Sequence, residues 1–293
     1  MDVSAGSALA LPPIVEAVRA RVDAALAAEL AARRTELEVL DPSAGILVDE
    51  LERLIGAGGK RLRPAFCYLG HRACGGGDGE PIVRAAAALE LLHTFALVHD
   101  DVMDEAIERR GVETTQVRFA RRFAGGSVGR GRSAAVLVGD LSAVLAEGLF
   151  RSSGFPAERM GAAFERFDRM RLAMAAGQYL DLLGAARADL ASAEHVAELK
   201  TGSYTVEGPL VIGAALAGAP EELEASLIAF ARPAGEAFQL RDDVLDLEAP
   251  VGAAGRVRDL VEQALGALEG VRLEPVAAAA LRALAASIAL PEA

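Results

Sequence analysis

Apolar side chains recur every three or four residues along most of this chain. The glycines and prolines that would break a helix gather between those stretches, a pattern that points to helices packed on helices. The spacing predicts helices over Pro13–Leu40, Gly45–Ile55, Ala65–Cys74, Pro81–Glu105, Ser133–Phe150, Pro156–Leu183, Ser192–Leu216, Glu221–Glu248, Gly255–Leu268 and Pro275–Ile288. Aromatic residues make up only 4% of the chain and β-branched runs are short, which disfavours sheets. With 52% hydrophobic residues the chain can bury a large core, and a single all-α domain over residues 1–293 is expected.

A net charge of -12 opposes general attraction to nucleic acid or to anionic lipid, because both are polyanions. Cys67 and Cys74 are too few for a disulfide framework or a zinc site, which fits a reducing compartment. The apolar run before Pro13 lacks a basic leader, and no stretch of about 18 uninterrupted apolar residues occurs. The expectation is a cytoplasmic protein with no stable membrane insertion and no nucleic-acid partner.

One cluster is written twice, Asp100-Asp101-Val102-Met103-Asp104 and Asp242-Asp243-Val244-Leu245-Asp246, each near the end of an apolar helix. Positions i and i+4 share a helix face, so Asp100 with Asp104, and Asp242 with Asp246, present paired carboxylates. Such hard oxygen ligands suit Mg²⁺, which keeps several waters and bridges a few carboxylates to phosphates. Either cluster alone also reads as a solvated acidic helix end. The apolar flanks Leu89–Val98 and Phe238–Leu247 weigh against that reading, since carboxylates emerging from core helices need a compensating cation. Three basic elements, Lys60 with Arg63, Arg109 with Arg110, and Lys200 beside Thr201, have the chemistry to hold phosphate oxygens. Singly each reads as a surface ion-pair partner; together with the acidic clusters they describe a cavity for two diphosphates. Nothing in the setting of His71, His93, His99 or His195 suggests a nucleophilic triad.

The ordered blocks Gly58-Gly59-Lys60-Arg61-Leu62-Arg63-Pro64, Glu90-Leu91-Leu92-His93 through Asp104, Arg109-Arg110-Gly111, Gly177-Gln178-Tyr179-Leu180-Asp181, Lys200-Thr201-Gly202 and Phe238-Gln239-Leu240-Arg241-Asp242-Asp243 resemble the trans-prenyltransferases, or polyprenyl synthetases. The resemblance implies an isoprenoid synthase-type bundle of antiparallel helices around a central cavity, with the two aspartate clusters facing each other across its mouth, and a homodimer. By matching position, Asp100, Asp104 and Asp242 resemble Mg²⁺ ligands, supported by Asp101, Asp243 and Asp246. Arg109 and Lys200 resemble clamps on an allylic diphosphate, that is dimethylallyl, geranyl or farnesyl diphosphate. Lys60, Arg63, His93 and Arg110 resemble an isopentenyl diphosphate site. Thr201 and Gln239 resemble the polar groups that face the allylic cation. The implied reaction joins isopentenyl diphosphate to the allylic substrate. Phe95 lies more than one helical turn from Asp100, next to the small Ala96, and an aromatic there resembles short-chain enzymes, with geranylgeranyl diphosphate as the expected product. Core packing is the other reading of Phe95.

The resemblance breaks after Asp246. Family members carry a Gly-Lys loop, an acidic position and a Gly-Lys-x-Thr segment there, whereas here Leu247 runs within a few residues into Gly255-Arg256-Val257. Either the chain is truly shortened near 247–255, or these residues are the ordered part of a longer one; the second is the expectation, because lids are drawn from the least stable segments. Two other functions remain open. A class I terpene cyclase shares the cavity and one aspartate motif, and a non-catalytic partner subunit would tolerate the loss of the lid.

Overall fold

In a computed structural model of the protein, residues 11–109, 111–123, 125–184, 204–245 and 252–289 are described. They form two compact units, one built from residues 1–18, 65–82 and 155–293, the other from 19–64 and 83–154. Helices dominate both: α1 (Pro13–Leu40), α2 (Ile46–Gly56), α3 (Leu62–Ala73), α4 (Glu80–Met103), α5 (Thr115–Arg122), α6 (Val128–Arg151), α7 (Ala157–Gly184), α8 (Gly208–Ala217), α9 (Glu221–Leu245), α10 (Ala253–Ala267) and α11 (Pro275–Ile288). The single sheet among the described residues is a two-residue hairpin, with β1 (Glu108–Arg109) antiparallel to β2 (Val112–Glu113) and Arg109 opposite Val112.

The core of the 19–64 and 83–154 unit is filled mainly from four helices, of which α4 is buried almost all round over residues 82–92. Val22, Leu26 and Leu30 come from α1, Val48, Leu51 and Ile55 from α2, Leu89, Leu91 and Leu92 from α4, and Val138, Leu145, Leu149 and Phe150 from α6. Burying each such side chain contributes roughly 1.5–3 kcal/mol against its exposed state. The Ser142 hydroxyl, fully buried in this apolar setting, donates to the Leu91 carbonyl at 2.7 Å and so satisfies itself on α4.

In the other unit α9 packs on α8, α10 and α11, and α7 packs on α8. Gly213 of α8 lies so close to α3 that a Cβ there would fall 1.9 Å from the Cys67 carbonyl oxygen, so glycine is required for this helix crossing. His71, on the same stretch of α3, is buried; its Nε2 lies 3.2 Å from the Gly77 carbonyl, and its ring meets Phe155 edge-on.

Several expected boundaries move. α3 begins at Leu62, before Arg63, because Pro64 is tolerated in a first turn. α6 begins at Val128, five residues earlier than its expected start, where the Ser127 hydroxyl accepts from the Arg130 N–H. α5 and the hairpin are additions to the expected elements. The expected helix over Ser192–Leu216 is described only from residue 204 onward. The break in the resemblance near 247–255 falls mostly on residues 246–251, which lie outside the described residues.

α4 and α6 are long and apolar enough, by length and composition, to cross a membrane. Of their most apolar windows, 67% and 50% respectively is buried inside the protein, as for core helices.

Candidate active site

The first aspartate cluster sits at the end of α4. That helix also carries His93 and Phe95; Phe95 is half-buried and meets the His99 ring edge-on, centroids 4.7 Å apart. α4 stops at Met103, so Asp104 lies one residue past it, with its N–H still bonded to the Asp100 carbonyl at 2.9 Å. The chain then turns through Glu105, at φ 54°, and returns along the hairpin. This return brings Arg109 back over the cluster: its Nε donates to Asp101 Oδ1 at 2.6 Å and its Nη2 to Asp100 Oδ2 at 3.0 Å. Burial pushes the Asp101 carboxyl above the usual carboxylate range, Arg109 pulls it back down, and the charges of Asp100 and Asp104 push it up.

Side chains that sequence reasoning passed over hold this return in place. Buried Gln116 of α5 donates from Nε2 to the carbonyls of Asp101, at 2.9 Å, and Ala106, at 2.6 Å. The Thr114 hydroxyl also donates to the Ala106 carbonyl, at 2.7 Å. α5 is in turn anchored on α2 through the buried carboxylate of Glu50, which accepts from the Thr115 hydroxyl at 3.0 Å and from Arg118 Nε at 3.2 Å. The same helices line a cavity of about 330 Å³ whose walls include Asp49, Glu50, Glu113, Arg118, Arg121 and Arg122, none of them among the predicted site residues.

The loop between α2 and α3 carries Lys60, exposed, and the first turn of α3 carries Arg63, half-buried. Between them Arg61 turns inward and is 7% exposed. A compositional signal supports this loop as functional. Of the 30 basic side chains in the chain only two are lysines, Lys60 and Lys200. Both lie in the motifs singled out above.

The second cluster lies in the last turn of α9. Gln239 Nε2 donates to Asp243 Oδ1 at 2.7 Å, so two of the predicted residues are paired directly. Asp242 is half-buried, 4.0 Å from Arg241 Nη1. Arg110, Lys200, Thr201 and Asp246 lie outside the described residues, so the structure brings together Asp100, Asp101 and Arg109, and separately Gln239 and Asp243.

The donor set fits a divalent cation of the Mg²⁺ type. Asp100, Asp101 and Asp104 carry hard oxygen donors, and Arg109 offsets the repulsion between Asp100 and Asp101. Among the described residues no three acidic, His or Cys groups converge into a closed cage. Mg²⁺ does not need one, since waters and substrate phosphates complete its octahedron.

A sequence model of the polyprenyl synthetase family matches residues 45–284. The chain belongs to that family. A geranylfarnesyl diphosphate synthase from Aeropyrum pernix is 37% identical over 177 residues, 58% of this chain and 52% of the relative. Component 2 of a heptaprenyl diphosphate synthase from Geobacillus stearothermophilus is 44% identical over 100 residues, 34% of this chain and 31% of the relative. The chain thus spans about half the length of the first of these relatives and about a third of the second. Over the whole fold, a crystal structure of geranylgeranyl pyrophosphate synthase from Corynebacterium glutamicum, complexed with isoprenyl diphosphate and magnesium, matches with TM-score 0.84 at 26% identity. That match covers 96% of this chain and 99% of the other. The expected all-α isoprenoid synthase fold is borne out.

Proposed function

We propose that this polyprenyl synthetase is a Mg²⁺-dependent prenyltransferase that condenses isopentenyl diphosphate with an allylic diphosphate, 1′ to 4, giving mainly geranylgeranyl diphosphate. The observation that carries the reading is the Asp100–Arg109–Asp101 cluster at the end of α4, in which Asp101 is buried, within the stretch that matches the family. The names of the geranylfarnesyl and geranylgeranyl diphosphate synthases among its relatives support elongation over a terpene cyclase.

In this reading Asp100 and Asp104, with Asp101 in support, hold one part of the metal site, and Asp242, Asp243 and Asp246 hold another. The metal, when bound, neutralises the charge of the departing diphosphate. Arg109 and Lys200 bind the allylic diphosphate, and Lys60, Arg63, His93 and Arg110 bind isopentenyl diphosphate through side chains alone. The C–O bond between the allylic carbon and its diphosphate breaks, a C–C bond forms to the isopentenyl carbon, and a proton leaves, accepted by the released diphosphate. Gln239 and Thr201 turn polar groups toward the allylic cation, where fixed dipoles lower the barrier most. Phe95 limits how far the growing tail extends.

The same reading makes the protein a cytoplasmic homodimer. Leu137 and Val144, 57% and 67% exposed on one face of α6, support pairing with a second copy. Incubating the purified protein with labelled isopentenyl diphosphate, an allylic diphosphate and Mg²⁺ tests the activity. Recovery of a condensed prenyl diphosphate supports it, and recovery of substrate alone contradicts it.

A further inference from the structure

We infer that Arg61 is a positioning residue that locks the α2–α3 loop so that Lys60 and Arg63 are held as a pair, and that it touches no substrate itself. The inference rests on the reading of Lys60 and Arg63 as the isopentenyl diphosphate site.

In sequence Arg61 is indistinguishable from its basic neighbours. In the structure its guanidinium points the other way, and its fork reaches three acceptors in three directions. Nε donates to Asp23 Oδ1 on α1 at 2.8 Å, Nη1 to Glu90 Oε1 on α4 at 2.8 Å, and Nη2 to the Ile55 carbonyl at the end of α2 at 2.7 Å. The Arg61 and Glu90 side chains are 6% and 8% exposed, so this ion pair is desolvated and each charge depends on the other. Lysine could not replace the arrangement, since one ammonium cannot span three acceptors held by separate helices.

The backbone records the same constraint. Arg61 adopts φ 50°, in the left-handed region that a residue with a Cβ avoids, and such strain persists only where surrounding contacts over-determine it. The two preceding glycines fit the device. Gly58 takes φ 94°, and a Cβ on Gly59 would sit 3.0 Å from Arg61 Nη1, so glycine there leaves room for the buried guanidinium. Reversal of the chain at Arg61 is what leaves Lys60 exposed on one side and Arg63 in the first turn of α3 on the other.

The scarcity of lysine supplies a readout independent of turnover. A lysine-specific protease can cut this chain only after Lys60 and Lys200, so the rate of cutting after Lys60 in the native protein measures opening of this loop, with the Lys200 cut as internal reference. Two variants are needed. Arg61→Met removes all three donors; Asp23→Asn weakens one contact at a carboxylate that is 43% exposed, where the fold tolerates the change. The expected result for Arg61→Met is a KM for isopentenyl diphosphate raised about tenfold or more, with kcat and the allylic KM within about twofold to threefold of wild type. Cutting after Lys60 accelerates by at least a similar factor, and Asp23→Asn shifts both quantities the same way by a smaller amount. Unchanged KM and unchanged cutting in the folded variants overturn the inference, as does an equal loss in all kinetic constants accompanied by loss of helicity. If Arg61→Met does not fold, Asp23→Asn alone decides on the same terms. Absence of turnover by the wild type would contradict the proposed activity instead, and cutting after Lys60 would then decide the role of Arg61 by itself.

Discussion

The Arg109 guanidinium bridges two adjacent carboxylates of the first cluster, reaching Asp101 at 2.6 Å and Asp100 at 3.0 Å. A basic residue carried in by the hairpin thus keeps mutually repelling carboxylates together before any metal or substrate arrives. Asp100→Asn should leave helicity and thermal midpoint nearly unchanged, because Arg109 keeps Asp101 and a half-exposed pair contributes only about 0–1 kcal/mol. Turnover should fall by about a hundredfold or more if the carboxylate is a metal ligand. Circular dichroism with steady-state assay at saturating Mg²⁺ checks this; retention of most activity would remove Asp100 from the ligand set.

Gln116 fixes the chain between the aspartate cluster and the hairpin through two carbonyls that also accept from Ala106 N–H and Thr114. Because neither carbonyl would be wholly orphaned, Gln116→Leu should destabilise by about 1–2 kcal/mol. Gln116→Glu should cost more than Leu at neutral pH, since it turns a carboxylate oxygen toward two carbonyl oxygens. Urea unfolding of the two variants tests the order, and a Glu variant as stable as wild type would show that these bonds do not hold the loop.

Burial is the main influence on His71 and holds its imidazole below the usual histidine range, so the folded protein binds its proton less readily than the unfolded chain. The associated stability is fully present above the unfolded value near pH 6.5 and is lost as pH falls through the depressed folded value. Unfolding midpoints measured from pH 7 to pH 5 should therefore decline more steeply for wild type than for His71→Gln. Parallel declines would mean that other groups carry the acid sensitivity.

Phe95 stands on α4, packed edge-on against His99, and is only half-buried. If it limits tail growth, Phe95→Ala should shift product from geranylgeranyl toward longer prenyl diphosphates, as read by chromatography of the dephosphorylated alcohols. An unchanged distribution would reduce Phe95 to core packing.

The long helices were legible because their apolar residues keep the helical period over many turns, as in α1, α7 and α9. α5 was not, because its buried face includes Thr115 and Gln116 beside Phe119 and Ala120, so its burial follows hydrogen bonds that no apolar pattern announces. The Gly125–Gly131 stretch reads as a turn, yet Gly129 and Gly131 lie inside α6. Gly131 is needed there because a Cβ would fall 2.3 Å from the Gln116 carbonyl. At the site, residue types and spacing singled out Asp100, Asp101 and Arg109, which the structure brings together. That Arg109 pairs with the aspartates, and that Arg61 faces inward while Lys60 faces outward, depends on contacts with residues up to 38 positions away and had no local signal.

The most direct test of the account is condensation itself. Purified protein is given labelled isopentenyl diphosphate with dimethylallyl, geranyl or farnesyl diphosphate in turn, with Mg²⁺ and with a chelator. The account predicts Mg²⁺-dependent formation of prenyl diphosphates, geranylgeranyl diphosphate foremost, that ceases when the metal is chelated. No condensed product from any of the three allylic substrates at saturating Mg²⁺, from protein of full helicity, would contradict it.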